Sequence, residues 1–557
     1  MVMAENPSSS LKYDFMISLS KLRNRISSIP HAGVALLFVM SFLFLFVLRI
    51  NVISYYIADY NVDEYHTIHQ GLNFLVNGEV ENFRVQEGTR WLVRLFYPVA
   101  LINMNTHMGG NVFLDDWDYP GHNYVVKNFV NDYDTFLSNL TDTNLRDLFY
   151  SLRTQYALLV YVSFLPLLWY LFRKKYYISA FGLIILLGVN AELLKEQSIF
   201  YVEPALLACV NLIMYMYFRF NASQKITSTA VMAYAVLLGF AISVKFTAVP
   251  LMLIPLVQIL WINREIKKRI FHTALFLGTS FLSYVLINFP AMLSRLQFNR
   301  FLHDFTSNFW QYAAGSSAEY TVAAGASHFA LILSQLEGLF GFALYAVPIV
   351  LLFGLYYGSK EQRRLLFLLT FLTVFVMMSF LSQRVYIVRN LIPFYSIFTL
   401  AFLFSLDILW KHFGDTQKMR ISYVLVALLS LSGIVRHNDG FVYMSTVVFP
   451  NARHSAVLAV NELVKKSDTR SIYSVGWKSE TYKDIIWGGR VISVSNAPSN
   501  LHSGNYADFE SDFAGLPNNS IVLVRRVANN NHLSNYVLPK YFYQNKQFGD
   551  YYVFYNN

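Results

Sequence analysis

Long apolar runs separated by short polar gaps dominate this chain. They fall at 33–55, 154–172, 177–193, 202–218, 227–244, 247–263, 270–289, 338–357, 365–382, 391–410 and 421–436. Each is near the roughly 20 residues that a helix needs to cross a bilayer. The pattern predicts an all-α polytopic membrane protein with about 11 transmembrane helices. One stretch demands a break. Residues 226–263 carry no charge except Lys245, and as one helix they would run to about 57 Å, far beyond one crossing. Lys245 and Pro250 therefore mark a tight hairpin at the membrane surface.

The pattern changes near residue 450. Residues 456–464 repeat with a helical period, and 471–475, 491–494, 521–527 and 551–554 read as strands. They predict a small α/β C-terminal domain over 451–557. Residues 1–32 are basic and Ser-rich, and the apolar run that follows is too long for a typical signal-peptide core. No cleavable signal peptide is expected.

Composition agrees with the pattern. Only 14% of residues are charged, against about 25% in soluble domains, so apolar surface must be covered by lipid as well as by protein. The single cysteine, Cys209, excludes an intramolecular disulfide and argues against a zinc–thiolate site. A net charge of +10 could suggest nucleic acid. The basic residues instead fall in alternate gaps between apolar runs, which points to a lipid bilayer and no nucleic acid. One set of gaps holds Lys12, Lys21, Arg23 and Arg25, then Arg173, Lys174 and Lys175, then Arg219 and Lys225. It continues with Arg264, Lys267, Lys268 and Arg269, then Lys360, Arg363 and Arg364, then Lys411, Lys418 and Arg420. These gaps are assigned to the cytoplasm. The chain then divides into a cytoplasmic segment 1–32, a membrane domain 33–450 with outer loops 56–153 and 290–337, and an extracytoplasmic domain 451–557. The expected setting is a bacterial inner membrane, with the C-terminus in the periplasm.

Candidate chemistry gathers at the outer face. Asp59, Asp63 and Glu64 follow the first run; Glu192, Lys195, Glu196 and Glu203 surround the start of the fourth; Lys245 marks the hairpin; Arg384 and Arg389 precede the tenth. Carboxylates next to hydrocarbon are costly and are kept for a reason. A carboxylate can deprotonate an acceptor hydroxyl, and a guanidinium or ammonium can hold a phosphate leaving group. Each residue also has a structural reading. Glu203 suits a helix N-terminus, Lys245 can snorkel, and Arg384 and Arg389 can touch lipid headgroups. His66, His69 and His303 could ligate a metal, although a lone histidine is more often hydrogen-bonded.

Several pieces, in order, resemble the GT-C superfamily of polytopic glycosyltransferases, which includes protein O-mannosyltransferases and lipid A aminoarabinose transferases. Asp63-Glu64 resembles the family's acidic pair in the first outer loop. AELLKEQSIFYVEPALLACVNL (191–212) is similar to its second acidic loop. LLGFAISVKFTAVPLMLIP (237–255) resembles a Gly-rich span ending in Lys-aromatic-Thr, here Lys245-Phe246-Thr247. RVYIVRNLIPFYSIF (384–398) resembles the Arg-containing lead into a late span, and NARHSAVLAVNELV (451–464) the helix that opens the outer tail. The family's His-Pro-Pro or Lys-Pro-Pro-Leu element is absent, so its residues are not carried over.

The resemblance implies an inverting transfer of sugar from a polyprenyl-phosphate-linked donor to a hydroxyl on a glycan, lipid or protein acceptor. Asp63 is the expected general base with Glu64 in reserve, and Glu203, Lys245, Arg384 and Arg389 are the expected substrate-binding residues. A divalent metal is compatible with the family but not required, and the chain shows no clear ligand set. Two alternatives remain open: an O-antigen polymerase or ligase, and a non-enzymatic transporter or flippase of lipid-linked sugar. Against a transporter, the charges cluster at one face and no internal repeat is visible. The topology has a direct test. Alkaline phosphatase fused after residue 120 or 470 should be active and after residue 266 inactive; activity at 266 overturns the orientation.

Overall fold

The computed structural model describes residues 32–55, 62–78, 87–107, 143–188, 200–293, 326–381 and 388–412, short pieces between 456 and 463, five strands beyond 470 and a few isolated positions. The chain divides into two compact units, Met1–Leu48 and Arg49–Asn557. Helix α1 (Ala32–Tyr55) begins in the first and is uncharged until Arg49.

The second unit opens with two amphipathic helices, α2 (Val62–Asn77) and α3 (Glu87–His107). In α3 the polarity is reversed relative to a soluble helix. Arg90 and Arg94 are buried, whereas Trp91, Leu95, Val99 and Ile102, on one face, point outward. That arrangement suits a helix whose outer side meets hydrocarbon. The main bundle follows: α4 (Thr143–Ser163), α5 (Leu165–Arg173), α6 (Tyr177–Gly188), α7 (Val202–Ser223), α8 (Ser228–Val244), α9 (Leu253–Ile262), α10 (Ile266–Leu293), α11 (Ala326–Phe340), α12 (Val347–Tyr357), α13 (Lys360–Leu381) and α14 (Tyr395–His412).

Among the described residues, five helical stretches are long and apolar enough to cross a membrane: Leu148–Arg173, Val202–Ser223, Ile266–Phe289, Lys360–Leu381 and Arg389–His412. A sixth is counted if α11 and α12 form one span, bent by 101°. The chain is thus a multi-pass membrane protein. Five or six of the eleven expected spans are thus recognised among the described residues, and several of the others take identifiable forms. Gly341, with φ +57°, turns the chain between α11 and α12, so the run at 338–357 is broken rather than straight. The runs near 177, 228 and 247 give helices of 12, 17 and 10 residues. The run at 421–436 lies outside the described residues. The hairpin at Lys245 is present: α8 stops at Val244, Lys245 is extended, and a 3₁₀ turn over Phe246–Met252 carries Pro250 into α9. Helix α4 starts earlier than expected, at Thr143, which moves Arg153 from the assigned outer loop into a spanning helix.

Helix α14 lies at the centre and is almost wholly buried, whereas α10 lies at the periphery and is mostly exposed. Hydrophobic burial cannot drive helices together in lipid, so close packing and hydrogen bonds must. Asn211 on α7 donates to Ser163 Oγ of α4 at 3.0 Å and accepts from Ser396 Oγ of α14 at 2.7 Å. Gln258 on α9 donates to the Tyr217 carbonyl of α7 at 2.8 Å and accepts from Tyr234 of α8 at 2.7 Å. Where α8 meets α10, Gly239 lets the backbones close. A Cβ there would stand 2.6 Å from the Ser280 carbonyl oxygen.

The C-terminal strands form one mixed sheet, β1 (Ser471–Val475), β2 (Ser493–Asn496), β3 (Ser520–Arg525), β4 (Gln544–Phe548) and β5 (Tyr551–Tyr555), in the order β2-β1-β3-β5-β4. The β2-β1-β3 part is parallel and the β3-β5-β4 part antiparallel. Ala456, Ala459, Val460 and Leu463 are helical and buried while Glu462 is exposed, the one-faced pattern expected there. The edge strand β4 was not foreseen. Its residues Gln544 to Gln547 are exposed and all polar, so no apolar alternation marks them.

The packing at Gly239 gives a test. Gly239→Ala should lower thermal stability in detergent by about 1–3 kcal/mol, the cost of overpacking. Gly278→Ala, where the added methyl meets open space, should leave it unchanged.

Candidate active site

Four residues, 200–203, lead into the first turn of α7, and the buried charges converge on them. Phe200 and Tyr201 are non-helical, Tyr201 standing at the N-cap with φ −104° and ψ 170°. A helix start leaves backbone N–H groups without internal partners. Here α4 supplies one. Tyr156 Oη accepts from Ala205 N at 2.9 Å and donates to the Tyr201 carbonyl, and its ring stacks on Phe200 with centroids 4.1 Å apart.

On one side of the segment lies Glu64 of α2. Its carboxylate accepts from Arg153 Nε at 2.8 Å and Nη2 at 2.5 Å, and Oε1 also accepts from Phe200 N at 2.8 Å. Glu64 and Arg153 are fully buried. The two-point fork is the strong form of this contact, and the added backbone bond ties α2, α4 and the entry to α7 together.

On the other side lies Glu203, buried in the first turn of α7, where a negative charge favours the helix dipole. Its Oε1 accepts from Lys245 Nζ at 2.6 Å and stands 3.5 Å from Arg389 Nε. Its Oε2 is buried without a hydrogen-bond partner. Lys245 Nζ also donates to Asn390 Oδ1 at 2.6 Å. The break at the end of α8 holds Lys245 in place: its N–H donates to the Ala241 carbonyl and its own carbonyl accepts from Ala248 N, both at 3.0 Å. Arg389 and Asn390 come from the 3₁₀ turn Val388–Phe394 before α14. The Arg389 guanidinium lies 4.8 Å above the Tyr201 ring. Its side chain is 28% exposed while those of Glu203 and Lys245 are buried, so the positive charge of the cluster faces outward through Arg389.

A second charged group abuts this one. Gly88 sits so close to the end of α8 that a Cβ would stand 2.7 Å from Ser243 Oγ and 2.8 Å from Val244 N. This lays the first turn of α3 beside Lys245. There Glu87 pairs with Arg90, and with Arg94 at 3.0 Å. Arg94 also donates to the Gly71 carbonyl at 3.3 Å and lies 4.4 Å from the Phe74 ring centre and 4.9 Å from that of Trp91. Burial lowers the Arg94 pKa from its ordinary value, and the Glu87 charge works in the opposite direction.

Of the expected residues, Glu203, Lys245 and Arg389 come together in one cluster, and Glu64 is joined to it through segment 200–203. Asp63 is in the first turn of α2, next to Glu64; its side chain lies outside the described residues, as do Arg384, Asp59, Glu192, Lys195 and Glu196. Arg153, Tyr156, Asn390 and the Glu87–Arg90–Arg94 group were not foreseen. A signal for Arg153 existed, since a charge at the start of a spanning run rarely lacks a partner. Among the described residues, no group of three or more His, Cys, Asp or Glu side chains is placed to hold a metal ion.

No protein-family model matches the chain, and no curated protein matches it. Among solved structures, it is similar to the crystal structure of ArnT from Cupriavidus metallidurans bound to undecaprenyl phosphate, at 11% sequence identity and a TM-score of 0.45, with 94% of this chain and 98% of that chain covered.

The Glu64–Arg153 pair predicts a non-additive stability effect. Arg153→Met alone should destabilise the protein by about 3–5 kcal/mol, because it strands a buried carboxylate. Combining it with Glu64→Gln should recover a substantial part, read as detergent melting temperatures of the single and double variants.

Proposed function

We propose that this protein is a membrane glycosyltransferase that moves a sugar from a polyprenyl-phosphate donor to an acceptor hydroxyl, with inversion. The observation that supports this most directly is the cluster at segment 200–203. It joins a partly exposed cation, Arg389, backed by Lys245, to the helix that carries Asp63. Phosphoryl groups are held well by guanidinium and ammonium groups. The apolar faces around the bundle suit a polyprenyl tail.

In this reading Asp63 takes the proton of the acceptor hydroxyl. The oxygen attacks the anomeric carbon and forms the new glycosidic bond. The bond from that carbon to the phosphate oxygen breaks, and its electron pair stays on the phosphate. Lys245 and Arg389 meet the charge that develops there. Glu64 serves as an anchor rather than a base, because its carboxylate already accepts three hydrogen bonds. It fixes the first turn of α2 and therefore the backbone of Asp63. Arg384 belongs to the same segment as Arg389 and is the reserve phosphate ligand. The C-terminal α/β part is assigned to acceptor use or stability.

Asp63→Asn should lower turnover by about 10² to 10⁴, the usual worth of a general base. The assay is release of free polyprenyl phosphate from a short-chain polyprenyl-phosphate sugar in the presence of acceptor, with binding of the donor retained. Passage of lipid-linked sugar across proteoliposomes without cleavage of any donor would instead establish a flippase.

A further inference from the structure

We propose that Glu203 is an internal competitor for the leaving phosphate, setting how readily the spent polyprenyl phosphate departs. This rests on the phosphate-site reading of Lys245 and Arg389. The geometry that carries it is the sharing of both cations by one carboxylate. Lys245 Nζ is 2.6 Å from Glu203 Oε1 and Arg389 Nε is 3.5 Å from the same oxygen. A phosphate on these cations must share them with Glu203. The second oxygen, Oε2, has no hydrogen-bond partner, so the carboxylate has acceptor capacity left.

The chemistry of the reaction makes such a competitor useful. The donor is a phosphodiester and carries one negative charge. The product is a phosphomonoester and carries about 1.5 to 2 at neutral pH, as phosphorylated side chains do. A site built of two uncompensated cations would therefore hold its product more tightly than its substrate. Glu203 places one carboxylate beside these two cations and lowers the positive charge around them. The lower net charge weakens product binding more than donor binding, because the attraction scales with the ligand's charge. Glu203 touches neither the sugar nor the acceptor in this scheme; it positions the cations and tempers them.

The measurement is the affinity of purified protein for two probes, a short-chain polyprenyl phosphate and the matching polyprenyl-phosphate sugar, together with single- and multiple-turnover rates. Glu203→Gln should tighten product binding by about tenfold or more, tighten donor binding less, and slow multiple turnover more than single turnover. A carboxylate that only braced the fold would loosen both ligands when removed. Unchanged or weaker product binding in Glu203→Gln, with Arg389→Ala still weakening both ligands, overturns the competitor role and leaves the phosphate site standing. Arg389→Ala and Lys245→Ala without effect on either ligand would overturn the phosphate site itself. Should Glu203→Gln not fold, Asn390→Asp provides the opposite test. It keeps an acceptor oxygen on Lys245 and adds a second competing carboxylate, so it should loosen the product more than the donor; equal or tighter product binding overturns the proposal.

Discussion

A charge inside an apolar bundle must find a partner or be neutralised, and that requirement organises one whole end of this molecule. Two of the buried ion pairs, Glu64–Arg153 and Glu203–Lys245, stand on either side of segment 200–203. Neither pair need add much net stability, because desolvation offsets most of the attraction between the charges. Their effect is on geometry. Each charge tolerates few positions, so the helices that carry them, α2, α4, α7 and the end of α8, are held in a fixed relation. Glu64 reaches the segment at Phe200 N and Lys245 reaches it at Glu203. The two pairs thus anchor the same short segment, at Phe200 and at Glu203.

The same constraint shapes the surface that a substrate would meet. Lys245 is buried and paired with Glu203, and Arg389, 3.5 Å from the same carboxylate oxygen, is the more exposed cation of the group. The aromatic ring of Tyr201 beneath the guanidinium holds it without neutralising it. Beside it, the first turn of α3 brings two more arginines and one glutamate against the end of α8. The chain thus concentrates positive charge where its helices end, against a helix whose outward face is apolar. Under the proposed function, that combination serves a donor with a charged head and a lipid tail.

Much of this was legible in the residue pattern, and the exceptions have physical causes. The break at Lys245 could be read because no helix of that length fits one bilayer. The strands at 471, 521 and 551 could be read from their apolar residues, whereas β4 at 544–548 is an exposed edge and carries no such pattern. The gathering of Glu203, Lys245 and Arg389 was expected only in the loose sense that all lay at one face. Their pairing depends on which helices are neighbours, which periodicity does not encode. Arg153 was missed because the start of α4 looked like loop. Its mostly polar first turn, Thr143 to Arg146, hides the helix that follows, and Arg153 fell at the edge of the assigned outer loop. Glu64 was read as a reserve base rather than an anchor because its partner lies 89 residues away in sequence.

The far end of the bundle is closed in another way. Asp407 of α14 accepts hydrogen bonds from Ile178 N at 3.1 Å, Ser179 N at 2.7 Å and Ser179 Oγ at 2.5 Å, so it caps the start of α6 from another helix. Close by, Lys411 donates to the Lys174 carbonyl at 3.1 Å and lies 3.4 Å from the Tyr176 ring centre. The cap and the helix it completes are 228 residues apart. A chain made from its N-terminus therefore emerges with the first turn of α6 open, and that turn is completed only when α14 arrives. Assembly of the bundle is then a closure: α6 is finished by α14, and a truncated chain keeps an unsatisfied helix end as a mark of incompleteness.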